Sequence, residues 1–128
     1  MNDPFDAVSD LPDLKTRSFR TPGAGTTSRP FQVAAAGPDG LEVRTSRGGR
    51  VTLRAEAFQG AVKVVSDLSV DDPDGWVRAS DETLQAVLQS ENRDKAVGSY
   101  VLPLLEAAGL VELDRGRPSR VRIPRAST

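Results

Sequence analysis

The chain has neither cysteine nor histidine among its 128 residues. Without cysteine there is no disulfide framework and no thiol nucleophile. Without histidine as well, Cys/His zinc sites, Ser–His and Cys–His nucleophile pairs and the usual general base near neutral pH are excluded. Only carboxylate-based metal chemistry stays open. Aromatic residues make up 5% of the chain, so a core must be built mainly from Leu, Val and Ala. No apolar run approaches the roughly 20 residues that a membrane span requires. The acidic start, Met1-Asn2-Asp3-Pro4-Phe5-Asp6, has no signal-peptide apolar segment. These absences lead to the expectation of a soluble, cytoplasmic, non-enzymatic protein with no cofactor, no metal and no membrane partner.

What is present is ordinary for a globular chain: 38% hydrophobic and 27% charged residues, in a length that suits one domain plus a tail. The net charge is −1, so any attraction for nucleic acid must come from local clustering of charge. Arginine outnumbers lysine fourteen to three, a bias that a GC-rich genome alone accounts for.

Residues 1–30 read as a disordered N-terminal tail. Four prolines and the Thr/Gly/Pro/Ser-rich stretch 21–28 leave too little apolar surface to offset the entropy of ordering. Phe5, Val8, Leu11 and Leu14 are interleaved with acids, and Asp3 and Pro4 suit the start of a short helix. The tail is therefore either plain linker or a linear motif that folds on a protein partner.

Residues 31–125 read as one α+β domain. Its first part, 31–79, opens with a three-stranded antiparallel meander. Phe31, Val33 and Ala35 alternate, then Leu41, Val43 and Thr45, then Val51 and Leu53, with turns at Gly37–Gly40 and Ser46–Gly49. Phe58, Ala61, Val62, Val65 and Leu68 then follow helical spacing. Asp71, Asp72 and Asp74 lie in a loop without the glutamate that a calcium loop requires at its twelfth position. Trp76, the only tryptophan, reads as a core anchor beginning a short strand.

The second part, 80–125, begins with a helix N-capped by Ser80, with Leu84, Val87 and Leu88 on its buried face. A second helix over 94–108 buries Val97, Tyr100, Val101, Leu104, Leu105 and Ala108, carries Pro103 off that stripe, and stops at Gly109. A basic hairpin, 110–123, follows. Two helices and a hairpin form the layout of a winged helix-turn-helix. The run Tyr100-Val101-Leu102-Pro103-Leu104-Leu105-Glu106-Ala107-Ala108-Gly109-Leu110-Val111-Glu112, with Arg117-Pro118-Ser119-Arg120, resembles the C-terminal winged helices of Fic-domain and AlbA-domain proteins. The resemblance implies a binding module of a kind appended to catalytic domains, and it implies nothing about catalysis.

The candidate contacts to DNA lie on the hairpin. Arg115, Arg117, Arg120, Arg122 and Arg125 fall within eleven residues with no acid among them, and arginine suits phosphate and narrow minor grooves. Lys95 and Ser99 would be the contribution of the second helix, and Arg93 that of the turn before it. Its remaining exposed positions, Leu102, Pro103 and Glu106, are poor readers of base edges. A second basic group is Arg44, Arg47, Arg50 and Arg54: Arg47 lies at a tight turn, and Arg44, Arg50 and Arg54 alternate with apolar positions on the solvent face of the meander. Two readings stay open: a DNA-binding or regulatory protein using its wing, or a protein–protein interaction module using its tail or winged-helix face. A homodimer would strengthen a single weak half-site.

Overall fold

A computed structural model describes residues 4–21, 29–79, 81–91, 98–114 and 119–124. The fold is mixed α+β, with a four-stranded and a three-stranded antiparallel sheet and four α-helices among the described residues. The first sheet contains β1 (Ser18–Arg20), β2 (Pro30–Gly37), β3 (Gly40–Thr45) and β4 (Arg50–Arg54), in that spatial order. The meander expected over residues 31–54 is present, and β1 adds a fourth strand at its edge.

That strand corrects the reading of residues 1–30 as a tail. Helix α1 (Pro4–Ser9) and β1 belong to the folded unit. Phe5, Val8, Leu14 and Phe19 are buried in the same apolar cluster as the rest of the molecule, and Leu11 packs against it. Phe5 meets the ring of Phe58 at 5.6 Å, and Phe19 stacks on Phe31 at 5.7 Å. The hairpin to β2 is closed by Thr21, whose N–H donates to the Arg29 carbonyl (2.9 Å) while its hydroxyl accepts from the Arg29 N–H (2.8 Å). Long-range aromatic contacts supply the free energy that local composition could not.

The two turns of the meander fall where glycine signals place them. Gly48 has φ +81°, a conformation that glycine adopts without steric cost. Gly40 is needed for a different reason. A Cβ there would overlap the Leu53 carbonyl oxygen and lie 3.2 Å from Arg54 Cα on the neighbouring strand. Gly40→Ala is expected to push β3 from β4 and lower stability by about 1–3 kcal/mol, measurable by urea denaturation.

Helix α2 (Ala55–Leu68) follows β4 directly, and its Ala55 N–H donates to the Asp39 carbonyl in the turn between β2 and β3 (2.9 Å). Ala57, Phe58, Ala61 and Val65 form its fully buried stripe, as the spacing predicts, while Val62 and Leu68 are half-buried. A 3-10 turn, Ser69–Asp71, leads to β5 (Val77–Arg78). Helices α3 (Glu82–Glu91) and α4 (Gly98–Ala107) come next. Strands β6 (Glu112–Asp114) and β7 (Arg120–Arg122) complete the second sheet, whose spatial order is β5-β7-β6.

The N-cap of α3 is Asp81, one residue beyond the expected Ser80, which lies outside the described residues. Asp81 Oδ1 accepts from the Thr83 and Leu84 N–H groups at 2.9 and 3.1 Å, as a helix start requires. Gly109 ends α4 with φ +78°. Its N–H reaches the Glu106 carbonyl and the Leu110 N–H reaches that of Leu105, both at 3.0 Å, which is the Schellman arrangement.

Candidate nucleic-acid interface

Helix α4 does not present the surface expected of it. Leu102 is 1% exposed and Pro103 is buried, in an unbroken buried run from Val101 to Leu105. The expectation that both face solvent is therefore corrected. The cause is the N-terminal layer: α4 packs against α1 and β1 as well as α2, α3 and β6, and the ring of Tyr100 meets Phe31 edge-on at 5.1 Å. Within the described helix the buried stretch Val101–Leu105 offers no side chain to a major groove. Of the other residues expected on this surface, Arg93 and Lys95 lie outside the described residues. Ser99 lies in the first turn of α4.

The hairpin arginines separate into two groups. Arg115, Arg117 and Arg125 lie outside the described residues. Arg120 and Arg122 lie on β7, flanking the buried Val121, and both are already paired. Across the strand from Arg120 is Asp114, and across from Arg122 is Glu112. Arg120 donates through Nε (3.2 Å) and Nη2 (2.6 Å) to Asp114 Oδ2. Arg122 donates through Nε to Glu112 Oε2 (2.6 Å) and through Nη1 to the Asp74 carbonyl (3.3 Å).

Trp76 lies beside these pairs, half-buried rather than anchored in the core. The Arg120 and Arg122 guanidinium carbons lie 5.0 and 4.3 Å from its ring centroid, within cation–π range. The two carboxylates and the tryptophan are the partners that residue counting along the hairpin missed. The period-two pattern held the signal, since Glu112 and Asp114 share one face with Arg120 and Arg122 once the hairpin register is drawn.

The meander presents a different surface. Arg44 on β3 has Arg50 on β4 as its direct cross-strand partner, with Gln32 on its other side and Ser18 beyond that. Arg47 is exposed in the turn joining β3 to β4. Glu42, the one acid in these four strands, accepts from Arg50 Nη1 at 3.0 Å. Arg44 and Arg47 make no ion pair among the described residues. A shallow groove of about 230 Å³ runs beside them, lined by Ser18, Gln32, Arg44, Thr45 and Ser46. Like charges directly opposed across a ladder cost stability, and an anion over the face would relieve that repulsion. The spacing of the sequence puts Arg44, Arg50 and Arg54 on this face and Arg47 in the turn; of these, Arg54 is half-buried and lies 3.6 Å from the Glu56 carboxylate.

The charge of the chain is segregated to match. Residues 15–54 carry eight Lys and Arg against two acids and residues 115–128 five against none, whereas residues 55–114 carry four against twelve and residues 1–14 none against four. The near-zero net charge conceals this division. The Phe5, Val8 and Leu14 side chains, expected to reach for a partner, are 4%, 0% and 5% exposed; they bind this domain's own core. Asp72, in the acidic loop, accepts from the Asp74 and Trp76 N–H groups, both at 3.0 Å. No group of three or more potential metal ligands occurs among the described residues. No described helix is long and apolar enough to cross a membrane. No family model matches the chain, and comparison with curated proteins and with solved structures finds no match.

Proposed function

We propose that this protein is a cytoplasmic DNA-binding module that holds the phosphate backbone with the outer face of its four-stranded sheet, through Arg44, Arg47 and Arg50. The observation that carries the reading is the direct opposition of Arg44 and Arg50 with Arg47 in the turn between their strands. Each of the three guanidinium groups can hold a phosphate through two N–H donors at once, Arg50 by exchanging its exposed contact with Glu42 for the ligand.

The element order from α2 onward, helix-strand-helix-helix-strand-strand with sheet order β5-β7-β6, suits the winged-helix layout. In this reading the winged helix serves as a structural body. Its α4 lies under the N-terminal layer, so binding is directed at the backbone and is independent of base sequence.

The reading predicts binding of a labelled random-sequence duplex that weakens steeply with salt. Three phosphate contacts correspond to a slope of about −2.7 in log Kobs against log salt concentration. Fluorescence anisotropy between low and physiological salt measures it. A flat slope, or no binding at low salt, would overturn the proposal.

A further inference from the structure

We infer that the outer face of the β5-β7-β6 sheet is a second anion site, occupied in the free protein by the side chains of Asp114 and Glu112. The ligand class is the phosphodiester, and the inference rests in part on the nucleic-acid reading of the meander. Three observations support it. First, Arg120 through Nε and Nη2, and Arg122 through Nε, each donate to one carboxylate oxygen, at 2.6 Å for the shorter contacts, and a phosphate oxygen can accept from the same guanidinium edge. Second, the latch is weak. The Arg120–Asp114 pair is 42% and 35% exposed, and the Arg122–Glu112 pair 25% and 44%. Ion pairs this open to water contribute little, so an incoming phosphate can displace them. Third, both guanidinium groups lie over the Trp76 ring, at 5.0 and 4.3 Å from its centroid, a contact that does not use the carboxylates.

The arrangement limits phosphate binding through this sheet, because each contact made there must displace a carboxylate that repels the ligand. Removing the two carboxylate charges frees two forks. Glu112→Gln with Asp114→Asn is expected to tighten binding of a random-sequence duplex on the order of thirtyfold at physiological salt and to steepen the salt slope by about two. Neutralising two acids away from this face, Asp67→Asn with Glu82→Gln, controls for the change in net charge and should give a much smaller gain.

Trp76 supplies an independent readout, being the only tryptophan. Its emission should change when duplex is added to the Glu112→Gln/Asp114→Asn variant. Equal gains in the two double variants, or an unmoved Trp76 emission at saturation, would overturn the inference. The two proposals fail separately. If the wild type binds and Glu112→Gln/Asp114→Asn adds nothing beyond the control, the meander reading stands without the second site. If only Glu112→Gln/Asp114→Asn binds, the second site stands without the meander.

Discussion

Replacing Leu102 by lysine is expected to destabilise the protein by about 3–5 kcal/mol, the cost of leaving a charge buried without a partner. A domain stable by roughly 5–15 kcal/mol in total would lose a large part of its margin. The expectation follows from the environment of α4. Leu102 is 1% exposed, and its neighbours Val101, Pro103, Leu104 and Leu105 are buried with it. On a groove-facing helix with Leu102 in water, the same substitution would fall within about 0.5 kcal/mol of neutral. It would also add a cation where DNA approaches, and so strengthen binding. Urea denaturation therefore separates a helix used for packing from a helix used for reading.

Phe5→Ala is expected to cost about 3–5 kcal/mol, as for other large aromatic truncations in a core. Phe5 is 4% exposed and packs its ring on Phe58, itself fully buried in α2. The double substitution Phe5→Ala/Phe58→Ala should cost less than the sum of the single ones, since the ring pair itself contributes about 0.5–1.5 kcal/mol beyond its area. A stability unchanged by Phe5→Ala would mean that the first residues are an independent tail.

How much of this was legible beforehand depended on whether the relevant contacts were local. The stripe Phe58, Ala61, Val65 of α2 and the alternation of Phe31, Val33, Leu41 and Val43 were read directly, because one face of each element meets the core and the other meets water. Residues 4–20 read as a tail in sequence because their order comes from distant rings, Phe58 and Phe31, while their own composition is rich in proline and acid. Periodicity assigned Leu102 and Pro103 to solvent by assuming a single buried face, but the N-terminal layer covers the opposite side. The uninterrupted apolar run Tyr100–Leu105 held a warning, since a helix that is hydrophobic all round is buried.

The candidate site was legible as composition and partly illegible as geometry. The basic hairpin was visible, but Arg120 and Arg122 proved to be paired because strand register, not sequence distance, decides that Glu112 and Asp114 face them. The meander arginines were visible as a group. Their direct opposition follows from the spacing of Arg44 and Arg50 about the tight turn.

The most direct test of the account is the affinity of Arg44→Ala/Arg47→Ala/Arg50→Ala for a labelled random-sequence duplex, measured by anisotropy beside the wild type at physiological salt. All three side chains are exposed, so the variant should unfold at nearly the same urea concentration as the wild type. Loss of three phosphate contacts should weaken binding on the order of a hundredfold and reduce the salt slope by about 2.7. A folded variant that binds as tightly as the wild type, with the same slope, would contradict the assignment of the meander face as the binding surface.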